Sequence, residues 1–382
     1  MSTSIEWTQN PDGSPGKTWN PTRGCSRQSD GCLNCYAMRQ AHRFNTISPK
    51  SPYHGLTTIR RGKVDWAGMA RFIPEQLGLP LKWRKPTRVF VNSMSDLFHP
   101  SLSNEEIAAV FGVMAACPQH TFQILTKQPK RAAEWFDWIA KQDAAHKRWV
   151  KDVAEAEILC AEDPGTRGAR RSAIAAIACS AFASSFGADF TSTLDTWPLR
   201  NVWLGVSVED QTTADDRISI LIERIPAAVR FASYEPALGP VSLWAFLKGE
   251  TRDRCVATLG GAPNTPGLDW VIVGGESGNG ARPFDVQWAQ SVVEQCRAAE
   301  VPCFVKQLGA DPIDSSLRDV WLKGQHHYTR PPDDPIVVEA LKRPDYRVTP
   351  HQLGRLLRHK KGADMSEWPE ELRLRQFPEV RT

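Results

Sequence analysis

The sequence predicts an α/β protein with a parallel sheet, as a partial or complete β/α barrel. Three observations carry that expectation. Short apolar runs recur along the 382 residues, helix-prone stretches fall between them, and no G-x-G-x-x-G follows a run. The last point argues against a dinucleotide-binding sheet. The runs are Arg88–Asn92, Thr121–Thr126, Asn201–Val208, Val229–Ser233, Trp270–Gly274 and Pro302–Lys306. Most are continuously apolar, as strands covered on both faces must be.

The helical stretches have their own signals. Ser103 opens Ser103–Ala116 with Glu106 three residues on, the pattern of a capping box. Asp285–Ala299 has a helical period with Asp at its start. Two segments break the rhythm. An Ala-rich, helix-prone stretch at about 133–195 is too long for one connection and reads as an insertion. From 311 onward Pro, Arg and Lys rise and no strand signal is seen, so 311–382 reads as a C-terminal extension to a 1–310 barrel domain. Within it PPDDP, Pro331–Pro335, looks like a linker. Leu341–Lys361 carries seven Lys/Arg against one Asp. That segment reads as a solvated basic tail, with contact to a phosphate backbone as the other reading.

Composition excludes several classes. Fourteen Trp, 15 Phe and 5 Tyr, with 41% hydrophobic residues, supply a core that a disordered chain lacks. No run nears the roughly 18 apolar residues of a spanning helix. The amino terminus has neither the basic stretch nor the apolar centre of a secretory signal, so a cytoplasmic location is expected. A net charge of +4 is too mild to define a partner by itself.

Nine cysteines in such a chain point to a reducing compartment, where thiols serve metals, catalysis or packing. Cys117, Cys160, Cys179, Cys255, Cys296 and Cys303 sit in apolar or helical surroundings and read as packing thiols. Cys25, Cys32 and Cys35 differ: they are spaced C-x6-C-x2-C in a polar loop before a helical stretch. Zinc would need a fourth ligand, His42 or a distant cysteine. An iron–sulfur cubane on three thiolates would leave one iron open to another ligand. Both metals fit the spacing.

Further motifs extend this pattern: Ile5–Thr8, Trp19–Ala37 with NPTRGC and GCLNCYA, Val91–Phe98, Ile124–Lys127, Gly205–Glu209, Gly274–Pro283 and Val305–Gly309. In this order they resemble the phage Gp37/Gp68 family of three-cysteine proteins, the DUF5131 type. The cysteine loop is also similar to that of radical SAM enzymes, especially the spore-photoproduct-lyase-like group. That resemblance implies a radical SAM type of barrel and a [4Fe-4S] cluster on Cys25, Cys32 and Cys35. It also implies S-adenosylmethionine on the open iron, cleaved by an electron to a 5′-deoxyadenosyl radical. The chain departs from the usual C-x3-C-x2-C spacing, and Asn34 stands where an aromatic residue is common.

Active-site groups of β/α barrels come from the carboxyl ends of the strands. Polar residues cluster there in this sequence. As the resemblance has it, Asn92, Ser93, Asp96 and Glu276 would hold the amino acid and ribose of S-adenosylmethionine. Gly274 and Gly275 would let backbone approach it, with Gln307 beside them. Lys127, Lys306 and Arg282 would suit an anionic substrate or the cofactor carboxylate. Glu209 and Glu235 would bind hydroxyls or handle protons. Lys127, Glu209 and Glu235 are the candidate catalytic residues.

A radical SAM-type enzyme therefore leads, with DNA or RNA as the substrate class, an electron donor, a partner protein encoded nearby, and no membrane partner. Two rivals stand beside it. One is a zinc-bound nucleic-acid-binding or structural protein without catalysis. The other is a barrel that keeps the cluster only to sense redox state.

Overall fold

The structure is a computed structural model that describes residues 2–141, 198–249, 267–322, 325–342, 346–353 and 357–379. Residues 142–197, most of the Ala-rich stretch, and with them Cys160 and Cys179, lie outside the described residues, as does Cys255. Fifteen strands are described. They are β1 (Lys17–Trp19), β2 (Thr22–Cys25), β3 (Thr57–Arg60), β4 (Lys63–Trp66), β5 (Met69–Phe72), β6 (Arg88–Val91), β7 (Thr121–Thr126) and β8 (Val202–Val208). Then follow β9 (Val229–Tyr234), β10 (Trp270–Gly274), β11 (Phe284–Asp285), β12 (Cys303–Gln307), β13 (Pro312–Leu322), β14 (Gln325–Arg330) and β15 (Tyr346–His351). Helices used below are α1 (Tyr36–Asn45), α2 (Asn104–Ala115), α3 (129–141), α4 (Gln211–Arg224), α5 (Val286–Ala298) and α6 (Pro335–Ala340).

All six expected strands form, each within a residue or two of its expected ends. They join a parallel seven-stranded sheet in the order β1-β6-β7-β8-β9-β10-β12. The α/β class is therefore as expected. Among the described residues the order ends on β1 and β12, so an open sheet is seen rather than a complete barrel. Strand β1 had no signal in the sequence, because three residues with Lys and Thr carry no apolar run. Its partner β6 makes it a strand, in the register Lys17↔Val89.

The chain divides into two units, the first up to Val206 plus Ser219–Phe231, the second Ser207–Ile218 and Ala232–Glu379. In the first, Val89, Val91, Phe122 and Ile124 are fully buried on neighbouring strands. Helix α2 starts as its capping box dictates: Glu106 N donates to Ser103 Oγ at 3.2 Å, and Ser103 N donates to Glu106 Oε2 at 2.8 Å. Phe111 of α2 stacks on Trp135 of α3 with centroids 4.4 Å apart. Gly205 is required inside β8, since a Cβ there would lie 2.5 Å from the Phe231 ring.

In the second unit, Asp285 caps α5 by accepting from Gln287 N, as the sequence suggested. Cys296 and Cys303 are buried there, and Cys117 is buried in the first unit, as packing thiols should be. The region after 311 differs from the expectation. Strands β14 and β15 both pair antiparallel with β13. Val320 meets an apolar cluster with Val337 and Ala340, while its neighbour Asp319 on the other face is buried among polar partners, so the strands alternate with charged residues and lack an apolar run. Strand β15 lies within the supposed basic tail. PPDDP supplies the cap of α6, where Asp334 accepts from Ile336 N, rather than a free linker.

Candidate functional site

The cysteine loop is held at the carboxyl ends of β6 and β7. Cys25 ends β2, Cys32 ends a single 3-10 turn (Asp30–Cys32), and Cys35 is the residue before α1. Gly24 adopts φ +90 and a Cβ there would lie 2.4 Å from the Met69 carbonyl, so only glycine lets β2 and β5 pair here. The loop following β6 anchors this piece. Thr22 Oγ1 and Ser95 Oγ lie 2.8 Å apart, and Tyr36 donates its hydroxyl to the Ser93 carbonyl at 2.7 Å.

Asn92 sits at the turn out of β6 in a left-handed conformation, φ +61. Its Oδ1 accepts from Thr22 N at 3.4 Å, whereas its buried Nδ2 has no partner among the described residues. A buried donor without an acceptor costs about 1–3 kcal/mol, so this one calls for an explanation. Ser93 Oγ donates to Asn20 Oδ1 at 3.2 Å. Asp96 is buried and fully engaged, taking hydrogen bonds from Thr126 Oγ1 (2.7 Å), Lys127 N (2.9 Å) and Phe98 N (3.0 Å). Burial still holds its carboxyl above the usual carboxylate range. Asp96 thus ties the β6 loop to the end of β7.

The electrostatics of the thiols follow from this setting. Burial raises Cys25 well above an ordinary thiol, and Asp96, Cys35 and Cys32 add repulsion. Cys35 is raised by burial and by Cys32, while Lys127 pulls it down. The three sulfurs are therefore near enough to sense one another. The chemistry of the donor set suits a thiolate-bound metal centre, since a cation would reverse the burial penalty. The placement does not complete one. As placed, no group of three or more His, Cys, Asp or Glu side chains among the described residues is arranged to hold a metal ion. Two of the sulfurs meet nearby backbone: Cys25 Sγ donates to the Ser26 carbonyl at 3.4 Å, and Cys32 Sγ accepts from Gln28 N at 3.5 Å.

Sequence reasoning missed two residues here. His99 is buried and its Nδ1 accepts from Ser101 N at 3.1 Å, which leaves Nε2–H to face Ser26 Oγ at 3.2 Å. Asn20 Oδ1 accepts from Met94 N at 3.1 Å and orients the β6 loop. Asn20 lies inside the Trp19–Ala37 motif, and His99 directly follows the Val91–Phe98 motif.

The remaining candidates form a second group, in the second unit. Glu209 is 1% exposed and pairs with Arg217 Nη1 at 3.1 Å, which also donates to the Ser207 carbonyl at 2.6 Å. Lys306 Nζ donates to Glu235 Oε1 at 2.6 Å, and Gln307 Nε2 bridges the Gly275 carbonyl (2.9 Å) and Glu235 (3.4 Å). Arg282 clamps Glu276 through Nη2 (2.7 Å), Nε (3.1 Å) and its own backbone N (2.9 Å). Gly275 is a packing glycine, since a Cβ would meet the Leu308 carbonyl at 2.6 Å, while Gly274 has ordinary room.

An open parallel sheet with a three-cysteine loop at its strand ends defines an α/β protein with a thiol-centred candidate site. The chain belongs to the family described as "Protein of unknown function (DUF5131)", whose model matches residues 2–366. No curated protein and no solved structure matches it. No helix among the described residues is long and apolar enough to cross a membrane.

Proposed function

We propose that the chain is an iron–sulfur enzyme of the radical SAM type, its sheet a partial barrel of that kind. One observation carries this reading. Three thiols of one polar loop stand beside Asn92, Asp96 and Lys127, with Cys25 and Cys35 buried and raised by that burial, at the sheet end where α/β proteins bind ligands. Cys25, Cys32 and Cys35 would hold the [4Fe-4S] cluster, and S-adenosylmethionine would take its open iron. When bound, the cluster supplies the electron that cleaves the sulfonium.

The chain's own residues do the rest. Asn92 Nδ2 offers a buried donor for a cofactor carboxylate or hydroxyl. Lys127 balances the negative charge that metal binding would leave on the thiolates. Asp96 keeps its role of locking the loop, and the Glu235–Lys306 pair remains a candidate for proton handling. The zinc alternative rests on the same three thiols. Anaerobic purification with iron and sulfide counted, followed by reduction with S-adenosylmethionine, separates the two. Coloured protein that yields 5′-deoxyadenosine, with Cys32→Ala colourless, supports the proposal. Stoichiometric zinc and colourless wild type would overturn it.

A further inference from the structure

Residues 22–72, which carry the cysteine loop, hold nine Lys/Arg against two Asp, a net +7 in a chain of net charge +4. The rest of the chain is therefore net negative. Within the segment α1 packs on the β3–β4 hairpin, and β2 pairs with β5. Arg39 and Arg43 are exposed on α1, Arg60, Arg61 and Lys63 at the hairpin tip, and Arg71 on β5. The segment's acids cannot balance this set, since Asp65 is already paired with Arg27 at 2.6 Å and only Asp30 remains.

The strand registers sharpen the point. Arg23 stands directly opposite Arg71, and Arg60 directly opposite Lys63. Like charges in opposite positions destabilise a strand pair. Arg23 already lies over the Tyr53 ring, so an external anion would act chiefly at the exposed hairpin tip, on Arg60 and Lys63. Tyr36 adds a second kind of contact: it is 55% exposed, and its hydroxyl bond to Ser93 fixes the ring. Tyr36, Arg39 and Arg43 follow helical spacings of three and four, so they share one stripe of α1.

We infer that this basic module binds single-stranded nucleic acid, with phosphates on its arginines and a base stacked on Tyr36. Five of the six exposed cations named above are arginine, whose planar fork matches phosphate oxygens in pairs. Phosphates beside a sequence-tolerant aromatic platform make a single-strand site. The inference deepens the proposed function and rests on it only for the purpose of binding, the delivery of a strand to the cysteine loop.

Fluorescence anisotropy with a labelled, mixed-sequence single-stranded oligonucleotide, repeated over a salt series, tests it. Each phosphate contact contributes roughly 0.7 to the slope of log affinity against log salt. Arg60→Gln, Arg61→Gln and Lys63→Gln combined should therefore flatten the slope by about two. Tyr36→Leu should weaken binding roughly tenfold with the slope unchanged. Lys360→Gln with Lys361→Gln, exposed in the C-terminal segment, should change neither. Circular dichroism checks that each variant folds. A slope unmoved by the triple variant, tighter binding of duplex, or equal competition by polyglutamate would overturn the inference. Strand binding by colourless, iron-free protein would leave it standing while removing the cluster. Coloured protein that binds no oligonucleotide would do the reverse.

Discussion

After β8, β9 and β10, three glutamates each have a cation at hydrogen-bond distance: Glu209 with Arg217, Glu235 with Lys306 and Glu276 with Arg282. Around the cysteine loop the buried polar groups lack that kind of balance. Asp96 is held by neutral donors, Cys25 and Cys35 are raised by burial, and Asn92 Nδ2 has no partner among the described residues. Residues of similar type, both at strand ends, thus serve two ends. The glutamate pairs satisfy one another and hold loops in place. In the cysteine region burial favours the protonated thiols, and a bound cation is what would favour the thiolates.

The largest expected effect lies in the satisfied region. Arg217→Ala would leave Glu209 charged and buried, and breaking such a pair costs about 3–5 kcal/mol. Urea denaturation measures it. A loss under about 1 kcal/mol would mean the pair is not what holds the α4 start.

Next comes Asp319 in the second unit. Burial alone would raise its carboxyl, but hydrogen bonds from Thr329, His351, Gln352 N and His326 outweigh that and lower it to about 2. A carboxyl lowered in the folded state stabilises above its unfolded value of 3.8. That contribution, about 2 kcal/mol, fades as the pH falls toward 2. The advantage of wild type over Asp319→Asn in urea midpoint should therefore shrink over that range. An advantage that stays constant would show that the donors do not favour the ionised form.

The smallest effect on stability belongs to the unsatisfied region. Asn92→Gly loses the bond from Thr22 N but removes the orphaned amide and relaxes the left-handed backbone. These terms offset to within about 1 kcal/mol. Under the proposed function the same variant should also weaken S-adenosylmethionine binding in equilibrium dialysis. A destabilisation as large as that of Arg217→Ala would erase the contrast between the regions.

Legibility in the sequence followed the same physics. The parallel strands were readable because each is buried on both faces, as Trp270–Gly274 is along its whole length, so the signal is local. The antiparallel strands after 311 were not, because Asp319 and Arg318 sit in β13 and only pairing with β14 and β15 makes them strand. The cysteine loop and the residues after β6 were visible as a polar break in apolar rhythm. Invisible were their commitments. Asp96 reads as a ligand candidate until Thr126 and Lys127, some thirty residues away, are found on its oxygens. Arg217 carried no signal, because a lone Arg in a helix is ordinary until it meets a buried Glu209.

The sequence by itself determined the α/β class, six sheet strands, the capping of α2 and α5, and the separation of three loop cysteines from packing thiols. These are local properties, written in periodicity and in the polarity of immediate neighbours. Only the tertiary structure decided which strand-end residues are occupied, that the thiols sense one another, and that Arg23 faces Arg71 across a strand pair. Those facts depend on distances between residues far apart in the chain. Burial and Coulomb interactions act through space, and no local pattern encodes them.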